Sequence, residues 1–362
     1  LPSTVRCILT DEQGFVWIGT RSGLGRFDGH ELKKYIHHAD DPHSLPHDLV
    51  LQIAEDEQYN IWILTDKGVA RYQRQSDDFY LPTDEKGKNI TAYSTCPTPE
   101  GLLFGAKNKI YFYSYRDGSF RLLQEFDQTP DFRNFNITIL SLWDEETVLC
   151  CSRWQGLLLL NLKTGAYSRP PFDCGKEIMS MIIDSKNRIW IAPYNNGLYC
   201  FDRNGKQLAS YTTRNSSLSN NVILSLAERE NKLWIGTDGG INILEPETGQ
   251  LSLLEHIPGR DNYSLPANSI LSLYNDRNNN IWAGSIRNGL ISIREVSMVT
   301  YTDVVPGNDR GLSNNTILSL YQQSDDKIWI GTDGGGVNLF NPLTEKFTHY
   351  LSTWEDKVAS IC

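Results

Sequence analysis

Histidines and acidic residues crowd one stretch of this 362-residue chain, where His37-His38, Asp40-Asp41 and His43 offer the side chains of a metal site. Imidazole and carboxylate are common zinc ligands, but this cluster falls on a long connection between two repeats and reads as a solvated loop. A second arrangement is the acidic pair, Glu55-Asp56 with Asp325-Asp326 as a later counterpart. A glycosidase needs one such pair flanking one scissile bond, whereas these recur at the same repeat position, in a polar turn. The chain has no HExxH, GxSxG, P-loop or EF-hand pattern. No catalytic residue, metal or cofactor is therefore expected. A third set, Arg21, Lys67, Arg153, Trp154, Tyr194, Asn195, Arg287 and Asn288, stands in turns. Guanidinium and amide groups bond sugar hydroxyls or acidic groups, and an exposed indole stacks on a sugar ring. Trp154 either does this or fills the inter-repeat space left by Leu149.

What must position those turns is a repeat. Trp17, Trp62, Trp190, Trp234, Trp282 and Trp329 each sit in an apolar-Trp-apolar segment followed by a Gly-containing turn, with Phe104 and Leu149 in the same place in two weaker copies. These anchors lie 41 to 48 residues apart (62 − 17 = 45 for the first pair, 190 − 149 = 41 the shortest, 282 − 234 = 48 the longest). A period in the forties held over a whole chain signals a repeat architecture. In the copy around Trp234, Asn221–Ala227, Lys232–Thr237, Ile241–Glu245 and Gln250–Glu255 read as strands, separated by Glu228–Asn231, Asp238–Gly240 and Pro246–Gly249 as turns. One such meander cannot hide both faces, whereas meanders arranged radially bury each face on the next and leave only short edges.

The fold expected is an all-β propeller of four-stranded antiparallel blades, with the tryptophans packed between blades. Burying one Trp removes about 150–250 Å² from water, an upper figure of roughly 4–6 kcal/mol at about 25 cal/mol/Å². A second phrase precedes the inner strands: His43-Ser-Leu-Pro-His-Asp48, Ser217-Leu-Ser-Asn-Asn221, Tyr263-Ser-Leu-Pro-Ala-Asn268 and Gly311-Leu-Ser-Asn-Asn315. Its leucine is expected to plug an apolar gap and its Asn or Asp to bond nearby backbone.

Composition is globular, 40% hydrophobic and 22% charged, and no apolar run has the length of a membrane helix. A net charge of −10 argues against general binding to nucleic acid or anionic lipid, while a local basic pocket could still hold an anion. The seven cysteines are scattered without a CxxC pattern and read as small buried hydrophobes. The chain opens at Leu1 within a repeat and stops at Cys362 within a strand, so further sequence is expected on both sides.

The run Gly311-Leu-Ser-Asn-Asn-Thr-Ile-Leu-Ser-Leu320 with Lys327-Ile-Trp-Ile-Gly-Thr-Asp-Gly-Gly-Gly336 resembles the two-component regulator propeller repeat. The opening from Cys7 to Gly29 is similar to the first repeat in periplasmic sensor regions of hybrid two-component systems of Bacteroidetes. The resemblance covers essentially the whole chain and is weak between about residues 85 and 175. It implies two seven-bladed propellers followed by a β-sandwich, a membrane helix, a histidine kinase, a receiver and a DNA-binding module. On that basis residues 1–305 form one seven-bladed propeller and 306–362 begin a second, with one eight-bladed ring as the alternative. The implied protein is a non-catalytic periplasmic sensor of a glycan-derived oligosaccharide, partnered by its own downstream domains and compatible with a homodimer. The rival readings are a propeller lyase or glycosidase and a protein-binding scaffold.

Overall fold

The structure, a computed structural model, describes residues 4–126, 134–256, 264–286, 288–293, 309, 311–324, 326–342, 344–350 and 358. The chain is all-β and divides into two compact units, Leu1–Arg294 and Glu295–Cys362. Among the described residues, the first unit holds seven sheets, spanning 5–35, 50–80, 94–125, 137–168, 178–211, 223–254 and 270–293, and the second holds an eighth at 317–350. Each is an antiparallel meander with its strands in sequence order. The seventh sheet has three described strands and the others four. The boundary expected at 305/306 lies outside the described residues.

The copy around Trp234 folds as Ile223–Arg229, Lys232–Thr237, Gly240–Glu245 and Gln250–Leu254. The first hairpin is tighter than its polar residues suggest. The strand continues to Arg229, and only Glu230 and Asn231 turn, both with positive φ (52° and 61°). The weak copies form complete sheets as well, with Phe104 and Leu149 fully buried at the Trp place. A large apolar side chain is enough there, which is why the repeat survives where its sequence signature fades.

Within the first unit the sheets pack face to face through the expected residues. Trp17 joins a cluster with Ile53, Ile61 and Ile63 of the second sheet, and Trp62 meets Phe104 of the third at 5.3 Å between centroids. Trp190 packs with Ile223 and Ile235 of the sixth, and Trp234 with Ile270 and Ile281 of the seventh. Trp282 of the seventh sheet packs with Val5, Ile8 and Ile18 of the first. First strands also touch first strands. Those of the first and second, third and fourth, fourth and fifth, fifth and sixth, sixth and seventh, and seventh and first sheets are in contact. The second and third are linked by Thr95 N donating to Gln52 Oε1 at 3.1 Å.

Of the acidic pairs, Asp56 proves structural, and Asp325 lies outside the described residues. Asp56 accepts from the backbone of Gln58 and Asn60 and from Trp62 Nε1 at 2.8 Å, so one carboxylate closes the turn and fixes the indole. Asp11, Asp184 and Asp276 hold Trp17, Trp190 and Trp282 in the same way at 2.8–2.9 Å, and Gln323 holds Trp329. Burial alone would raise the carboxyls of Asp184 and Asp276, but these hydrogen bonds together hold both below their ordinary value. Leu45, Leu218, Leu265 and Leu312 of the second phrase are buried, and Asp48, Asn221 and Asn268 accept from the backbone of His37, Thr213 and His256. Cys96, Cys150, Cys151 and Cys200 are buried free thiols, and Cys7 and Cys174 are partly buried ones.

Candidate ligand-binding site

Four of the turns between second and third strands in the first unit, those of the first, second, sixth and seventh sheets, are stapled by their own hydroxyl. Thr20, Thr65 and Thr237 donate from Oγ1 to the carbonyls of Gly23, Gly68 and Gly240 at 2.7–3.0 Å, and Ser285 does so to Gly289 at 3.2 Å. With the closure supplied by Thr and Gly, the residues between them are free to vary. The turns are also tied to the connection entering the next sheet: Gly23 N donates to Asp48 O, Ile178 N to Arg153 O, Gly197 N to Asn221 O and Gly240 N to Asn268 O. Turns and connections therefore share one side of the first unit, as expected of loops that carry binding residues on a rigid scaffold.

On that side Arg21, Lys67, Arg153, Trp154, Tyr194, Asn195 and Asn288 are all exposed, and Arg287 lies outside the described residues. Trp154 is 57% exposed while Leu149 is fully buried, so the indole does not fill the space beside that leucine. The Arg153 guanidinium lies over its ring, 5.1 Å from the centroid. Tyr194 is 52% exposed. Asn195 takes a left-handed backbone (φ 53°), and Asn288 spends its amide on Pro266 O at 2.8 Å, so both serve their turns.

Directly after Trp154 opens a pocket of about 450 Å³, lined by Gln155, Leu157, Arg169, Phe172, Cys174 and Lys176 among others. Arg169 Nη1 donates to the carbonyls of Gln155 and Leu157 at 3.1 and 2.9 Å, and Phe172 stacks on Phe201 at 4.6 Å. An exposed indole beside a pocket with an aromatic wall and two cations can receive a sugar ring and bond its polar groups. Sequence reasoning missed Arg169, Phe172 and Lys176 because they fall where the repeat is weakest. It also missed Arg6, on the first strand of the first sheet. Burial pushes the Arg6 guanidinium below its ordinary value; Cys7 opposes this, and the cations Arg21 and Arg153 add to it. Arg6 thus feels one turn of its own sheet and one of the fourth.

The histidine cluster is used locally. His37 Nδ1 bonds Leu45 O at 2.6 Å, His38 N donates to Ser44 Oγ, and His43 N to Asp41 Oδ1. Among the described residues no group of three His, Cys, Asp or Glu is placed to share a metal ion, and no helix is long and apolar enough to cross a membrane.

Four segments, residues 1–22, 217–239, 264–287 and 311–334, match the two component regulator propeller family, so the chain carries repeats of that kind. No curated protein matches the chain. Among solved structures it is similar to the extracellular domain of a candidate hybrid two component system, BT3049, from B. thetaiotaomicron, at 24% identity and a TM-score of 0.71, over 98% of this chain and 48% of that one. A second such domain from the same organism, BT4673, is similar at 21% identity and a TM-score of 0.66, over 96% of this chain and 52% of that one. At these identities the likeness speaks to the fold, and the chain spans about half the length of the solved chains it matches.

Proposed function

We propose that this chain, built of two-component regulator propeller repeats, is the non-catalytic, extracytoplasmic sensor region of a hybrid two-component histidine kinase, situated in the periplasm. It binds a glycan-derived oligosaccharide on the turn side of its first unit and passes occupancy to kinase domains of the same protein. The first unit is in this reading a seven-bladed propeller, supported by the packing of Trp282 in the seventh sheet against Val5 and Ile18 in the first. The eighth sheet begins a second propeller. Its first strand keeps Ile317 and Leu320 exposed, at 45% and 64%, as a face awaiting a neighbour. Val358 N donates to Thr332 O at 3.1 Å and Val358 O accepts from Ser319, as Ile137 O accepts from Ser94 between the third and fourth sheets. Val358 thus stands where the next sheet would start.

The observation that carries the ligand proposal is the solvent-facing Trp154 beside Arg153 and the Phe172 pocket. Trp154→Ala is expected to change stability by no more than about 0.5 kcal/mol, since it removes no core contact. The same substitution, and Arg287→Ala, should weaken oligosaccharide binding tenfold or more in calorimetric titration of the folded protein. Equal affinity in both variants would remove the site.

A further inference from the structure

The first strands of the first unit share an irregularity that the repeat pattern does not announce. In the first, second, fourth, fifth, sixth and seventh sheets the pairing with the second strand slips by one residue near the start. The residues left at the slip are Arg6, Leu51, Thr138, Met179, Leu224 and Leu271, all half-buried. A bulge leaves its extra residue unpaired and re-aims a side chain. All six lie on strands that pack against one another, at the end that meets the turns, because Val5 pairs with Thr20 just before Arg21. Of these residues Arg6 alone is charged.

Its Nε is buried without a hydrogen-bond partner, and no carboxylate pairs with it among the described residues. The charges that act on it most include Arg21 from its own sheet's turn and Arg153 from the fourth sheet, which is not a packing neighbour of the first. Arg21 and Arg153 both stand in turns on the side of the unit where the first strand carries Arg6, and both charges act on it from there. A half-buried guanidinium that faces other cations and lacks an anion is unfavourable as it stands, and an oxyanion placed among the three would relieve it.

We infer that Arg6 anchors an oxyanion site on the turn side of the first unit, where it receives a carboxylate or sulfate group of the bound glycan with Arg21 and Arg153 flanking. This rests on the glycan reading of the same side and makes the ligand an acidic oligosaccharide, in a chain whose net charge of −10 would otherwise repel one. The bulged leucines offer an apolar rim to the ring carbons of such a sugar.

The test is calorimetric titration of the intact protein with sodium sulfate, tri-galacturonate, a sulfated disaccharide and neutral galactotriose. The expected result is binding of tri-galacturonate or of the sulfated disaccharide, the one bound naming the group. That affinity should fall as salt is raised, at least tenfold in Arg6→Gln, and less in Arg6→Lys. If Arg6→Gln lowers the melting temperature, Arg21→Gln and Arg153→Gln, both at exposed positions, should each still weaken the charged probes several-fold. The site is overturned if the charged glycans bind Arg6→Gln as they bind the parent, or if sulfate binds and no glycan does. Neutral galactotriose bound through Trp154, with the charged probes ignored, would overturn the anion site and leave the glycan reading standing. No glycan bound at all would overturn both.

Discussion

A carboxylate six residues before a tryptophan does the quiet work of the repeat. In sequence, Asp56 is one member of an acidic pair that recurs in a polar turn before the tryptophan strand. In the structure it is 3% exposed and bonded to two backbone amides and an indole. The spacing was legible; the role was not, since a turn carboxylate gives no sign of its burial until the indole beside it is placed. Asp56→Ala strips those donors of their charged acceptor and leaves Trp62 Nε1 buried and unpaired, for an expected loss of roughly 2–4 kcal/mol in denaturant unfolding. The arrangement is not obligatory. Glu228 takes the equivalent place before Trp234 but bonds Ser185, and Trp234 Nε1 is buried without a partner. Asp77 ties the first sheet to the second. Burial would raise its carboxyl, but hydrogen bonds from Lys33, Tyr35 and Tyr72 and the charge of Arg26 together lower it from 3.8 to about 2. A carboxylate depressed by folding stabilises above its unfolded value and loses that contribution as pH falls through the folded one. Melting temperature should therefore drop between pH 3.8 and about 2, and drop less in Asp77→Asn.

Strands were the most legible level. The tryptophan period placed the second strand of every sheet, and the copy around Trp234 was read to within two residues at its ends. Turn length and bulges escaped, because a one-residue slip leaves the apolar pattern intact while re-aiming the residue it frees. That is why Arg6 passed for an ordinary strand residue, whereas Arg21 and Arg153 stood out as departures in turns. The glycine two residues after the tryptophan, inside the same strand, has a packing reason rather than a conformational one. At Gly284 a Cβ would lie 2.3 Å from Ser272 Oγ of its own sheet, and 2.7 Å from a Val5 side-chain carbon and 2.8 Å from the Val5 carbonyl oxygen, where the seventh sheet meets the first. Gly284→Ala should force those sheets apart and cost roughly 1–3 kcal/mol in denaturant unfolding. Gly14→Ala, at φ 86° with nothing within 4 Å of its Cβ, is the control: it strains its own backbone without touching a neighbouring sheet. Made in a Ser272→Ala background, which relieves the clash within the sheet, Gly284→Ala should still destabilise; equal stability with that background would argue that the seventh and first sheets do not bear on each other.

For the molecule as a whole, repetition and variation divide the labour. Buried tryptophans, their carboxylates, the Thr staples and the leucines of the second phrase are common to many sheets and build the scaffold. The turns differ from sheet to sheet, and one of them carries the indole that left the core. Fold class and repeat boundaries could be read from the chain because the same interface is written many times over. The candidate site could be read only in part, since Trp154 declares itself by breaking the pattern, whereas Arg169 and Phe172 sit where no pattern exists to break. The most direct measurement is titration of the intact protein with neutral and acidic oligosaccharides, following heat and products in the same samples. The account predicts saturable binding with the oligosaccharides recovered unchanged, and affinity at least tenfold lower in Trp154→Ala. Shortened or unsaturated products, or a Trp154→Ala variant that binds as the parent does, would contradict it.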